Sequence, residues 1–329
     1  MKRLLPTLIL VIVCIGGFWY ASSQNFFKDK TVVDEKKLFT LAAADIQAIS
    51  FQAKNAASSE SPDAVYDLTE LTKKDAGWEM LKPTAYPINS FSVDSWNEAF
   101  AALTYEGIVE ENATSLADYG LAEPKQFYQV SLKDGSTKKL LIGSPLPIEG
   151  HVYAKFADSP KIFDVTESLL EGLNKQPLDF VNKNAVMVAY DNVNSIQMDW
   201  KGSKWLLEKA QADKTVFEST WKLDGKDRKA EEGTALLDKV VALSTAELPK
   251  AAVEVKMEAP ELKFTITESE AGKATISTFN GKIDKENVWI AKQGGAWAFS
   301  VPLASIQEAF DASKPAATPV PSIAPTVAP

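Results

Sequence analysis

One cysteine and one histidine in 329 residues remove whole classes of chemistry. Disulfide frameworks need paired thiols, and zinc fingers or multi-histidine metal sites need several such ligands together. No cofactor or metal site is expected. Positive charge is also short, with 35 Lys and Arg against 44 Asp and Glu and a formal net charge of −9. Nucleic-acid affinity rests on cationic neutralisation of phosphates, so no nucleic-acid partner is expected. Disorder throughout is excluded by the apolar content. Hydrophobic residues make up 45%, with eight Trp, eight Tyr and 16 Phe, enough for more than one core.

Lys2 and Arg3 precede an uncharged run, residues 4–20, closed by Trp19 and Tyr20. At 1.5 Å per residue this run reaches the short end of a bilayer-spanning helix. Amphipathic rings at its end suit the headgroup layer, and the cationic start favours a cytoplasmic N-terminus. Residues 1–25 therefore read as a single-pass membrane anchor or a signal segment cut after Ser23, with Ala21 and Ser23 as the small residues. Val13 before Cys14 argues against lipid attachment. Either way the bulk of the chain is expected outside the membrane, or secreted if the segment is cut. Without Lys2 and Arg3, 33 basic side chains remain against 44 acidic ones, a net −11. Such a domain repels anionic headgroups. At the other end, residues 313–329 carry Pro315, Pro319, Pro321, Pro325 and Pro329 among small residues. That composition predicts an extended, disordered tail.

Between these ends the chain repeats itself. Residues 45–52 lie over 192–199, placing Ile46, Ile49 and Phe51 on Val193, Ile196 and Met198. Trp78 falls on Trp221. The triple Trp96, Phe100, Leu103 matches Leu236, Val240, Leu243, each a single helix face. Residues 124–165 then lie over 260–301 without a gap, pairing Tyr128 with Phe264, Leu140 with Ile276, Tyr153 with Trp289 and Phe163 with Phe299. Each copy reads as a strand, a polar hairpin or loop, a strand around the Trp, and a helix (about 93–105 and 234–244). A meander of strands follows, then a short closing helix. In the first copy the meander covers 126–132, 137–142, 151–156 and 161–165, with Asp134-Gly135 as a turn signal. Ser90 or Ser92 suits the first helix cap. The fold class is α+β: two tandem related units, 40–182 and 183–312, each a mostly antiparallel sheet with packed helices, after the N-terminal membrane helix.

Candidate chemistry is sparse. His151 would need a nucleophile beside it and an orienting carboxylate, and nothing in the sequence marks a nucleophile. It follows Gly150 at a strand start, where the duplicate carries Asn287, and reads as a turn-edge polar residue. The segment around Gly143, Pro145, Pro147 and Gly150 is a hairpin loop, or a binding lip, and no phosphate loop. No Asp or Glu stands out at an apolar strand end. Trp78 and Trp221 recur in both copies, as core packing requires; Trp200, Trp205 and Trp297 lack aromatic counterparts and read as core before they read as a sugar platform. Neither catalytic, cofactor-binding nor metal residues are assigned, and the protein reads as no enzyme.

One motif carries a resemblance. Tyr119-Gly120-Leu121 with Pro124 is followed by an alternating strand, by Ile142-Gly143, and then by Val152-Tyr153-Ala154; Trp78, Met80 and Pro83 stand upstream. This pattern resembles the bacterial family called domain of unknown function 4340, over about residues 40–180. The second copy keeps Pro260 but lacks the Tyr-Gly-Leu element. The resemblance implies a membrane-anchored extracytoplasmic protein and, as partners, subunits of an ABC-type exporter. It carries no catalytic residues. Tyr119, Gly120, Leu121, Pro124, Gly143 and Tyr153 are structural motif positions. The expected function is an envelope interaction module, with a cell-wall glycan-binding or glycan-cleaving protein as the alternative.

Overall fold

The computed structural model describes residues 36–54 and 66–314. The expected anchor or signal segment (1–25) and residues 315–329 of the proline-rich tail lie outside the described residues. Among the described residues no helix is long and apolar enough to cross a membrane. The described residues form two compact units: the first holds 36–54, 66–85 and 90–176, the second 86–89 and 177–314. Residues 86–89 join the second unit through Asn182 N–H donating to the Pro87 carbonyl and Asn89 N–H donating to the Phe180 carbonyl, each 2.8 Å.

The first unit runs β1 (Ile46–Lys54), β2 (Tyr66–Lys74), β3 (Gly77–Lys82), α1 (Ser90–Ala101), β4 (Gly107–Glu110), β5 (Gln126–Leu132), β6 (Thr137–Pro145), β7 (His151–Phe156), β8 (Ile162–Thr166) and α2 (Glu167–Glu171). Its eight strands lie in the order β3-β2-β1-β5-β6-β7-β8-β4, and every pairing is antiparallel. The second unit opens with a helical turn, α3 (Pro177–Phe180). It continues through β9 (Val193–Trp200), β10 (Ser203–Lys209), β11 (Trp221–Leu223), β12 (Lys226–Arg228), α4 (Ala230–Val241) and β13 (Lys250–Ala251). The final elements are β14 (Leu262–Glu270), β15 (Lys273–Asp284), β16 (Asn287–Lys292), β17 (Trp297–Pro302) and α5 (Leu303–Asp311). Its order, β12-β11-β10-β9-β14-β15-β16-β17-β13, repeats the first with one added edge strand.

The duplication is therefore structural as well as sequential. Ile49 of the inner strand β1 pairs with Leu71 on one side and Val130 on the other. In the second unit Ile196 pairs with Leu207 and Ile266, and all six are buried. Helices cover one face of each sheet. In α1, Val93, Trp96 and Phe100 fall on one stripe and are buried. Trp96 stacks on Phe51 and Phe100, and its ring N–H donates to the Leu173 carbonyl at 3.1 Å. In α4 the same stripe is Leu236 and Val240, joined in the core by Ile306 and Phe310 of α5.

Three expectations need correction. The gapless match of 124–165 on 260–301 fails in its middle. Tyr128 pairs with Leu140 across the β5–β6 hairpin, but Phe264 pairs with Phe279. The partner of Leu140 in the second copy is thus Phe279; Ile276 is 67% exposed where Leu140 is 0%. The β14–β15 hairpin is longer by three residues, and the β15–β16 turn is shorter by three than the β6–β7 loop. The two changes cancel, so both ends of the alignment agree. The edge strands β4 and β13 were not foreseen, being short and stabilised only by a neighbouring strand. Ser90 and Ser92 both lie inside α1, which begins at Ser90, so neither is the cap residue that precedes the helix.

Tyr128 is buried at the centre of the first sheet. Its hydroxyl accepts from Gln126 Nε2 at 2.6 Å and donates to the Asn174 side-chain oxygen. Burial pushes its ionisation far above the ordinary phenol range, and the Gln126 bond offsets only part of that. The folded state keeps a proton that the unfolded chain releases near pH 10, so this contribution is complete below about pH 10 and is lost as pH rises beyond it. Thermal melts between about pH 8 and about pH 11 should show wild type losing stability relative to Tyr128→Phe, which copies Phe264. Parallel losses in the two proteins would refute the assignment.

Candidate functional site

The sheet order forces the site. β4 lies at one edge and β5 next to β1, so the connection between them must cross β8, β7 and β6. It crosses on the face away from the helices, and there the motif residues meet. Ala117–Tyr119 forms a 3-10 turn ended by Gly120 at φ 67°. A Cβ on Gly120 would lie 2.8 Å from the Ser144 amide nitrogen, and one on Gly143 would strike the Tyr119 carbonyl oxygen and stand 2.9 Å from Leu121 Cγ. Both glycines are thus required by close approach of two backbones. Leu121 is buried, and the Tyr119 ring meets Tyr153 edge-on at 5.1 Å. Five of the six motif residues form this lock. Pro124 stands apart from it, just ahead of β5.

The second unit makes the same crossing with different residues. Trp289, at the position of Tyr153, is covered by Lys250, whose Nζ stands 4.2 Å from the ring centroid, and by the partly buried Val255 and Met257. In the structural register Lys282 takes the place of Gly143. It donates to the Ala259 carbonyl at 3.2 Å and to Glu261 at 2.9 Å. That hydrogen bond holds the Glu261 carboxyl below the usual range. A side chain thus spans a gap that two glycines close in the first unit.

Beside the lock, His151 Nδ1 lies 2.6 Å from Asp164 Oδ1, both part-buried. Tyr153 pairs with Asp164 and His151 with Thr166, so all four share the outer face. Asp164 was missed in the sequence. It sits between buried Phe163 and Val165, and the available signal was a carboxylate where the second copy has Ser300. Asp164 can fix the orientation of the imidazole. His151 has no other side-chain hydrogen-bond partner among the described residues. Ile148, at the tip of the β6–β7 loop, is 56% exposed. The loop is closed by Leu146 N–H donating to the His151 carbonyl at 2.8 Å.

The described tryptophans form no sugar platform. Trp78, Trp96, Trp200, Trp205, Trp221 and Trp289 are buried; Trp297 is part-buried and lies against Tyr86. Among the described residues no group of three or more His, Cys, Asp or Glu is placed to hold a metal ion.

The family described as domain of unknown function (DUF4340) matches residues 78–262, more than half of the chain. The chain belongs to this family. The DUF4340 match begins at Trp78 in β3 and ends at Leu262, the first residue of β14, so it extends beyond the first unit into the second. No curated protein and no solved structure matches the chain.

Gly143→Ala should unseat the Tyr-Gly-Leu turn and cost roughly 1–3 kcal/mol, the usual range for overpacking. Lys282→Ala, which breaks a part-exposed pair in the second unit, should cost about 0–1 kcal/mol. Denaturant melts of both variants check the contrast, and equal losses would mean that the lock is no tighter than an ion pair.

Proposed function

We propose that the chain is a non-enzymatic interaction module, anchored in the cell membrane by residues 4–20 and facing the extracytoplasmic side, with subunits of an ABC-type exporter as its partners. One observation carries the interaction reading. The two units share the apolar positions of their inner strands and differ on the outer face of β7 and β8. There the first unit holds His151, Asp164 and the longer loop carrying exposed Ile148, against Asn287, Ser300 and a two-residue turn. A surface present in only one of two equivalent scaffolds is not needed for folding, and loops on a rigid sheet are the usual place for recognition. The charged run-in and apolar run support the anchor, and the net negative charge suits a domain standing clear of anionic lipid. Burial of Trp78, Trp96, Trp200, Trp205, Trp221 and Trp289 favours this reading over glycan binding, which needs exposed rings.

The test is purification of the natively expressed, tagged full chain from mild detergent, with mass spectrometry of what accompanies it. Transporter subunits are expected in fixed ratio, and Ile148→Asp should lose them while melting as wild type does. A chain that emerges alone overturns the reading.

A further inference from the structure

The connection that crosses the outer face of the first unit begins with a turn that the second unit lacks. Glu110 pairs with Ile162 at the end of β4, and Lys250 pairs with Ala298 at the equivalent place in β13. Counted from these residues to Pro124 and Pro260, the first crossing is four residues longer. The added length falls before the 3-10 turn, in residues 111–116, and includes Asn112-Ala113-Thr114. The chain has twelve asparagines, and only Asn112 has Ser or Thr two residues on with a residue other than Pro between. That is the pattern of an N-glycan acceptor.

The turn is presented rather than packed away. Glu111 is ion-paired with Lys161 Nζ at 2.7 Å, and Ala113 N–H donates to the Pro160 carbonyl at 3.1 Å. These contacts tie the residues on either side of Asn112 to the β7–β8 connection, while Asn112 and Thr114 stay exposed. Among the described residues neither the Asn112 amide nor the Thr114 hydroxyl makes a hydrogen bond. Only the Asn112 backbone N–H is engaged, donating to Glu110 Oε1 at 3.2 Å.

A second observation comes from the strand beside it. β4 is the last strand of its sheet, with β8 as its one neighbour there. It leaves Ile108 39% and Val109 41% exposed. An apolar edge invites pairing with another chain, and proteins protect such edges by charge, by a bulge or by a cover. The second unit uses charge, its edge strand β13 being Lys250-Ala251. In the first unit the two apolar residues lie three and four positions before Asn112. At strand spacing that is about 10–13 Å, a distance that an oligosaccharide of a few sugars spans. A glycan is bulky and solubilising, so one at Asn112 would cover this edge.

We infer that Asn112 is a glycan acceptor, modified by transfer of an oligosaccharide from a lipid-diphosphate carrier. Asn112 Nδ2 forms the bond to the anomeric carbon, and the bond from that carbon to the diphosphate oxygen breaks. The electron pair leaves with the diphosphate, which also takes up the displaced amide proton. The inference rests on the extracytoplasmic reading, because the transfer takes place on that side of the membrane.

The test is peptide mapping by mass spectrometry of the natively expressed, tagged full chain, paired with protease added outside wall-stripped, intact cells. The Asn112 peptide is expected to carry a sugar mass that Asn112→Gln and Thr114→Ala both lose and Thr114→Ser keeps. All three replace exposed side chains and should melt as wild type does. A bare Asn112 peptide in the native chain overturns the inference, as does sugar retained in Thr114→Ala. If the protease reaches the domain and Asn112 is bare, the inference alone falls. If the domain is shielded from the protease, the extracytoplasmic reading falls with it.

Discussion

Each sheet has two faces, and its helices cover one. The path from the edge strand back to the middle of the sheet settles what happens on the other. β4 and β13 sit beyond β8 and β17, while the next strands, β5 and β14, sit beside β1 and β9. The connecting segment has to cross three strands, and it must do so in contact with them or leave apolar side chains in water. In the first unit contact is made at backbone distance, Gly120 against Ser144 and Gly143 against Tyr119. In the second it is made by side chains, Lys282 reaching Ala259 and Glu261, and Lys250 covering Trp289.

Having the same architecture twice separates folding from whatever else the residues do. Ile49 and Ile196, Leu71 and Leu207, Val130 and Ile266 hold the same places because both sheets need the same filling. A polar group kept in one copy at a cost the other avoids has no such explanation. Two polar features of the first unit contrast with the second in this way: the His151–Asp164 pair on the outer face, and the Asn97 amide beneath α1. They lie on opposite faces of one sheet, so they are two surfaces and not one site. The second unit has Leu237 and Ser300 at these positions.

Much of this was legible in the residues, and what was not has specific causes. Helix faces could be read because Trp96, Phe100 and Leu103 repeat at helical spacing, and the meander because its strands alternate. The edge strands could not, since β4 offers only Gly107–Glu110, too short for a pattern, and it exists only because β8 presents an open edge. Register in the β14–β15 hairpin was misread because Ile276 is apolar and happens to fall opposite Leu140 in the alignment. Only the pairing of Phe264 with Phe279 shows that the hairpin is longer. Asp164 was passed over because its significance lies in a partner thirteen residues away across a strand pair.

By itself the sequence determined what is local or cumulative: the net charge, the scarcity of thiol and imidazole, the apolar faces, the two copies and the Tyr-Gly-Leu motif. These follow from composition and from periodicities of 3.6 and 2, which need no knowledge of what lies alongside. Only the tertiary structure decided which glycines are obligatory, which carboxylates have partners and where a buried amide is left without one. Those are properties of distances between residues far apart in the chain, and no spacing along the chain encodes them.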